Sequence, residues 1–78
     1  MKDMFGVEVF VGDKIFTSEG LCEILDIINN SEVIVKRYRL GCVEGLEFWI
    51  QVEYSVKMTP EQLHQYTSLE LIRELANV

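Results

Sequence analysis

The stretch LEFWIQVEYSV, residues 46–56, places apolar residues on one parity and polar residues on the other. Side chains alternate across a strand, so this pattern predicts a long strand with one face on a core and one in water. The expected core face comprises Leu46, Phe48, Ile50, Val52, Tyr54 and Val56. The polar row comprises Glu47, Trp49, Gln51, Glu53 and Ser55. Trp49 is the exception in that row. A tryptophan framed by carboxylates is typical of an interface anchor, but a helix or a second copy of the chain could equally cover it.

The residues before this stretch predict further strands joined by short turns. The expected strands are residues 14–17, 21–28 and 32–40, with turns at 18–20 and 29–31 and a loop at 41–45. Asparagine tolerates positive φ, so the sequence NNS at 29–31 suits a hairpin turn. Neither face of residues 21–28 is purely apolar, which indicates a strand that bends over two packing surfaces, as in a small barrel. The order of these strands predicts an antiparallel meander.

The last twenty residues change to helical periodicity. The sequence TPEQ at 59–62 forms a capping box with proline at the first helical position, and TSLE at 67–70 repeats the pattern. We therefore expect a short helical turn over 60–65 and a second helix over 68–76. The wide apolar surface of that second helix must be buried against the sheet or a partner. Its members are Leu69, Leu71, Ile72, Leu75, Ala76 and Val78.

The composition is that of one small globular domain. The chain has 78 residues, 49% of them hydrophobic and 26% charged. We expect an SH3-like, mainly β domain over 1–58, a strongly curved antiparallel sheet or barrel, with a helical segment over 59–78 packed on it. No apolar run approaches the roughly 20 residues that span a bilayer, and no signal peptide is evident, so no membrane is involved and a cytoplasmic location is predicted. The two cysteines, Cys22 and Cys42, fit free core thiols better than a disulfide scaffold or a metal site.

Residues 3–15, DMFGVEVFVGDKI, resemble the start of small bacteriophage-encoded proteins that begin D-x-F-G-x-E-[IV]-x-V-G-D-x-[IV]. Residues 11–15, VGDKI, followed by Gly20, also resemble the opening of SH3-like small barrels. The resemblance covers about the first third of the chain. It implies an SH3-like fold, a phage-type protein and therefore the cytoplasm of a bacterial host. The phage proteins are mostly without assigned function, so the resemblance transfers no catalytic residue.

Catalysis is not indicated by any arrangement in the sequence. His64 is the single histidine, and no nucleophile and orienting group stand at a spacing that would pair with it. The glycines are isolated turn residues and form no phosphate-binding loop. We therefore expect no enzyme, no catalytic residue, no cofactor and no metal.

Binding to a host protein is the first functional hypothesis. The expected contact residues are Trp49, Glu47, Gln51, Glu53 and Tyr38. The chain carries thirteen acidic and seven basic residues, a formal charge of −6. That charge opposes binding to phosphate backbones and suits a basic partner surface. Such a protein would modulate or inhibit its host target, in one version as a mimic of duplex phosphates that occupies a basic nucleic-acid-binding groove.

Two alternatives belong to other classes. The cations Lys36, Arg37 and Arg39 could grip a nucleic acid, with Tyr38 stacking on a base, although the same cations could instead pair with glutamates. The third hypothesis is a structural homo-oligomer, most simply a homodimer, that associates through Leu71, Leu75 and Val78.

Overall fold

The computed structural model describes residues 1–77 as an open antiparallel sheet followed by a helix. The strands are β1 Lys14–Thr17, β2 Gly20–Ile27, β3 Glu32–Arg39, β4 Cys42–Gln51 and β5 Val56–Lys57, in the spatial order β4-β3-β2-β1-β5. A 3-10 helix, Val52–Tyr54, joins β4 to β5, and the helix α1 spans Pro60–Ala76. The mainly β fold with a C-terminal helical segment is thus confirmed. The expected strong curvature is not found, because the sheet neither closes into a barrel nor curls strongly.

The hydrophobic core lies on one face of the sheet and is built mostly from β-branched residues, which pack well on a pleated surface. It comprises Val9, Ile15, Cys22, Ile24, Val33, Val35 and Val52, with Met1, Phe48 and Ile50 against it. Cys22 is a free buried thiol, as expected, and burial raises its pKa although a hydrogen bond with Thr17 opposes the rise. The prediction was wrong for Cys42, which is exposed on the edge strand β4.

A bulge in β2 explains why neither face of residues 21–28 is purely apolar. Ile24 pairs with Val35 and Asp26 pairs with Ile34, so Leu25 is an extra residue without its own partner on β3. One extra residue reverses the parity of the strand. Apolar residues therefore fall on the core face at even positions before Leu25 and at odd positions after it.

A larger bulge interrupts β4 and corrects the prediction for Leu46. Val35 pairs with Phe48 and Arg37 pairs with Glu44, so the three residues 45–47 lie opposite the single residue between those partners on β3. Gly45, at φ 83°, supplies the left-handed conformation that starts the bulge. Leu46 was expected in the core, but the bulge carries it out of the sheet.

The second half of the predicted strand 46–56 is also different. The chain leaves β4 after Gln51 and enters the 3-10 helix, which turns Val52 into the core and Tyr54 into water. Ser55, expected in water, is fully buried, and its hydroxyl donates to the Val52 carbonyl at 2.6 Å. The alternation that continues through 52–55 therefore belongs to the 3-10 helix and its cap, and a strand resumes only at Val56.

A two-residue turn replaces the predicted loop at 41–45. Arg39 pairs directly with Cys42, and the turn residues Leu40 and Gly41 have φ values of 50° and 83°. Two successive positive φ angles define the type I′ hairpin turn, whose twist matches that of the flanking strands. The predicted turn at 29–31 is confirmed, because the Asn29 Oδ1 accepts hydrogen bonds from two N–H groups, those of Ser31 and Glu32, each at 2.9 Å.

The C-terminal helix is continuous from Pro60 to Ala76, so the prediction of two separate helices was wrong. Its first capping box is confirmed: Thr59 Oγ1 accepts from the Gln62 N–H at 3.1 Å, and Gln62 Oε1 accepts from the Thr59 N–H at 2.9 Å. The second box does not form. Ser68 lies inside the helix, and its hydroxyl donates back to the His64 carbonyl at 2.9 Å.

Asp3 is a buried carboxylate, 6% exposed, that fastens the N-terminal segment to β5. Its Oδ1 accepts from the N–H groups of Phe5 and Val7 at 2.9 Å, and its Oδ2 accepts from the Lys57 N–H at 2.8 Å. Burial alone would raise the pKa of Asp3. The three backbone donors, helped by the Lys57 charge, outweigh burial and lower the pKa below its usual 3.8.

Replacing Asp3 by Asn is expected to lower the free energy of unfolding at pH 7 by about 2 kcal/mol, because the amide removes the charge and turns a donor toward a backbone N–H. The folded-state pKa is depressed. The stability that the ionised Asp3 carboxylate contributes is therefore complete above pH 3.8, its usual pKa. It is lost as the pH falls through the lower pKa that Asp3 has in the folded chain. Urea unfolding of both proteins between about pH 7 and about pH 2 measures this. Glu8 is present in both proteins, so the difference between their unfolding free energies at each pH isolates the contribution of Asp3. If the native protein and Asp3→Asn lost the same unfolding free energy in acid, the stabilising role of Asp3 would be contradicted.

Replacing Leu40 by Asn is expected to raise the free energy of unfolding by about 1 kcal/mol, because asparagine tolerates the left-handed conformation that leucine resists. Leu40→Ala is the control, since alanine removes the same side chain without relieving the backbone. Denaturant midpoints compare the three proteins. Stabilisation by both substitutions, or by neither, would refute the conformational explanation.

Candidate interaction surface

Trp49 lies on the edge strand β4 with its indole 69% exposed. It pairs with Ile34 on β3, while its strand neighbours Phe48 and Ile50 point to the opposite, core-side face. The sequence left open whether another element covers this ring. In residues 1–77 none does, and Trp49 stands on the surface as a large apolar group.

Two further apolar side chains are displayed beside this strand. Leu46 is 87% exposed at the tip of the bulge, three residues before Trp49. Tyr54 is 68% exposed at the end of the 3-10 helix, five residues after it. Both were assigned to the core from the sequence, so the alternation concealed two members of the surface. Gly45 was the one signal for Leu46, because glycine inside a strand often marks a bulge.

A groove separates β4 from the turn that joins β1 to β2. It is lined on one side by residues 17–19 and on the other by residues 48–51, with Tyr54 at its end, and its volume is about 280 Å³. This is small and open compared with the roughly 300–1,000 Å³ clefts that enclose small-molecule ligands. The groove is suited to receive a side chain from a partner surface. We call Leu46, Trp49, Tyr54 and this groove the β4 surface.

The polar residues predicted to surround Trp49 are near it in the structure. Glu47 and Gln51 share its parity on β4, and Glu53 follows in the 3-10 helix; all three are exposed. Among residues 1–77, neither Glu47 nor Glu53 forms an ion pair. The apolar centre of the β4 surface therefore has an unneutralised acidic border.

Tyr38 lies at the other end of β3 from the partner of Trp49. It pairs with Val43, and the Lys14 ammonium stands 5.1 Å from its ring centre. Four residues along a strand separate it from Ile34, a distance of roughly 13 Å. Tyr38 is thus outside the β4 surface.

The basic cluster on β3 is largely engaged within the chain. Arg37 pairs with Glu19 at 3.4 Å, and Arg39 pairs with Glu74 of α1. Lys36 lies opposite Glu23, which itself pairs with Lys14 at 2.9 Å. Glutamates therefore pair with two of the three cations, but from the β1–β2 turn and from α1 and not across strands, and Lys36 forms no ion pair within residues 1–77.

Ion pairs also neutralise several carboxylates away from Trp49. Glu8 binds the N-terminal ammonium at 2.9 Å. Glu19 pairs with Arg37, and Glu23 pairs with Lys14. The hydrogen bond from that ammonium is the main reason that the pKa of Glu8 falls below its usual value. In the described part of the chain, Glu47 and Glu53 near Trp49 are therefore among the carboxylates without an ion pair, together with others such as Asp26, Glu32 and Glu44.

The remaining predicted residues lie elsewhere. Leu71 and Leu75 are exposed on α1, while Val78 falls outside the described residues. His64 is exposed on the same helix and offers its backbone carbonyl to Ser68. Residues 1–77 contain no group of three or more His, Cys, Asp or Glu side chains placed to hold a metal ion. In the same residues, no helix has the length and apolar character needed to cross a membrane.

Comparison of this chain with protein-family models, with curated proteins and with solved structures finds no match. The geometry of the β4 surface therefore stands alone as the basis for a functional argument.

The fluorescence of Trp49 should report an open surface. We expect an emission maximum close to that of tryptophan in water, full access to acrylamide, and no spectral shift on dilution from about 100 µM to about 1 µM, because the ring is exposed and lies apart from the other apolar surface of the chain on α1. Trp49 is the only tryptophan, so the signal has a single source. A blue-shifted maximum that moves to the red on dilution would instead place the indole between two copies of the chain.

Proposed function

We propose that this chain is a non-enzymatic interaction module that binds another protein through the β4 surface and alters that protein's activity. The observation that carries the proposal is Trp49, a tryptophan that is 69% exposed on the edge strand β4. Burying an aromatic side chain in a partner's pocket is the commonest source of strong local binding energy at interfaces. A single exposed apolar residue is ordinary, but a patch of them marks an interaction site, and Trp49 lines one groove together with Tyr54.

The chemistry of the partner follows from what surrounds the indole. Leu46 and Tyr54 extend the apolar contact on either side of Trp49, and the groove beside it accepts a side chain from the partner. Glu47 and Glu53 place unpaired negative charge at the border. The complementary surface has an apolar pocket with lysines or arginines around it, and the charges would speed the encounter more than they tighten the complex.

The resemblance of residues 3–15 to phage proteins makes a bacterial protein the first partner to seek. A basic nucleic-acid-binding groove fits the required chemistry, and its occupation would inhibit the host enzyme that carries it. An SH3-like ancestry of the sheet belongs to the same proposal. Direct binding of nucleic acid by this chain is less well supported, because Arg37 and Arg39 already hold glutamate partners.

The test is capture of a partner from bacterial lysate by the native protein, by Trp49→Ala and by Phe10→Ala, followed by titration with the purified partner. Phe10 is an exposed aromatic residue beside Lys57 of β5, at the opposite edge of the sheet, so it is a matched control. We expect Trp49→Ala to weaken binding by about 2 kcal/mol or more, roughly 30-fold in Kd, and Phe10→Ala to change it little.

Thermal unfolding of the three proteins establishes that each is folded before binding is compared. Equal capture by the native protein and by folded Trp49→Ala would overturn the assignment of the β4 surface. Retention of nucleic acid in place of protein, with an affinity that falls steeply as salt rises, would favour the second hypothesis.

A further inference from the structure

The helix α1 presents most of its aliphatic residues to water and two of its carboxylates, Glu70 and Glu74, to its own sheet. On the sheet side, the Tyr66 ring packs edge-on against Phe16 with ring centres 5.8 Å apart, and Glu74 pairs with Arg39. Along its whole described length, Pro60–Ala76, the helix has no buried side chain. The outward residues form a row that we call the α1 stripe: Leu69, Leu71, Ile72, Leu75 and Ala76.

Helix geometry separates these two sides. Positions 66, 70 and 74 recur every fourth residue and share the sheet-facing side, whereas positions 69, 72 and 75 recur every third residue on the far side. Ile72 lies opposite the sheet contacts and is 61% exposed. An amphipathic helix normally buries its apolar side, so the orientation of α1 leaves the expected contact unmade.

We propose that the α1 stripe is the interface of a two-fold symmetric homodimer in which two α1 helices pack antiparallel around Ile72. The stripe is self-complementary, because Leu69 and Leu75 stand three residues on either side of Ile72. A two-fold axis at Ile72 sets Leu69 of each copy against Leu75 of the other and brings the two Ile72 side chains together. Such an interface uses one patch on both copies.

The distribution of charge favours a second copy as the occupant. Two chains of charge −6 repel each other, so they can associate only where carboxylates are sparse. The α1 stripe carries none. Glu70 and Glu74 are on the sheet-facing side, where Glu74 pairs with Arg39, and Glu61 lies about two turns before the overlapping part of the helices. Arg73 borders the stripe and is exposed to water.

The small size of the stripe sets the strength of the association. About four aliphatic side chains from each copy make an interface at the low end of the range for specific complexes. We therefore expect a dissociation constant on the order of 10 µM and a mixture of monomer and dimer at ordinary laboratory concentrations.

The first test is sedimentation equilibrium from about 1 µM to about 1 mM. The native chain is expected to approach twice the mass of the monomer as concentration rises. Ile72→Glu should weaken association by about 30-fold or more, because the two-fold axis brings the two new carboxylates together. Gln65→Glu is the matched control: it adds the same charge to an exposed position of the same helix, outside the overlap, and should change association less than about threefold.

Thermal unfolding checks that both variants keep the native fold. A native chain that stays monomeric to about 1 mM overturns the proposal, and so does an Ile72→Glu protein that dimerises as well as the native chain.

Cysteine cross-linking then tests the antiparallel register, in a Cys42→Ser background that removes the exposed native thiol. Leu69→Cys mixed with Leu75→Cys is expected to form a disulfide-linked pair under mild oxidation. Either variant alone should cross-link far more slowly, because antiparallel helices separate equivalent positions by about 9 Å along the axis, beyond the roughly 7 Å limit between Cα atoms. Rapid cross-linking of each single variant with itself would contradict the antiparallel arrangement.

The dimer interface and the β4 surface are separate sites, so each of the two proposals can be refuted without the other. Trp49→Ala is expected to leave the association constant of the chain unchanged, and Ile72→Glu is expected to retain capture of a bacterial partner. Loss of the dimer in Trp49→Ala would move the self-association to β4 and overturn the assignment to α1.

Discussion

One buried carboxylate joins the two ends of the β domain. Asp3 accepts backbone hydrogen bonds from Phe5 and Val7 in its own loop and from Lys57, 54 residues away along the chain. The next residue, Met4, donates its N–H to the Ser55 carbonyl at 2.9 Å. Two consecutive N-terminal residues are therefore hydrogen-bonded to the segment that contains β5. These bonds hold Val9 and Met1 over the edge of the core. An open sheet has no barrel closure to exclude water from its core, and this N-terminal segment supplies part of that cover.

The open sheet also determines what is left uncovered. A chain of 78 residues can bury only a limited fraction of its apolar surface, and here the buried cluster occupies one face of the sheet. On the other face, Tyr66 and Phe16 form the main packing contact with α1, and the ion pair of Arg39 with Glu74 fixes the helix farther along. The helix α1 therefore faces the sheet with Tyr66 and Glu74, and its aliphatic residues point away from the sheet. Large apolar side chains remain in water in the N-terminal segment, in the β4 surface and in the α1 stripe. The last two are the candidates for binding, because Trp49 lies beside a groove and the stripe covers one side of a helix.

Local patterns predicted those elements whose geometry is determined within a few residues. The start of α1 depends only on Thr59 and Gln62, and the turn before β3 depends only on Asn29, so both could be identified from the sequence. The second capping box has equally good local chemistry at Thr67, yet it fails, because no residue between 60 and 67 ends the helix and a cap has no function inside one. The type I′ turn was missed for the opposite reason, since Leu40 is an unfavourable residue there and is held in place by the strands on either side.

The bulge in β4 shows why the exposure of Trp49 could be anticipated and the rest of the surface could not. Two extra residues leave the parity of a strand unchanged, so the alternation around Trp49 is correct although the pairing shifts at 45–47. The same bulge changes what an exposed edge strand can do. A long flat edge offers its unpaired backbone to any strand that approaches, which leads to aggregation. By breaking β4 into two short arms and raising Leu46 above the sheet, the bulge disrupts backbone pairing while it adds apolar contact area. Recognition at β4 is thereby transferred from the backbone, which is the same in every protein, to side chains, which can select one partner.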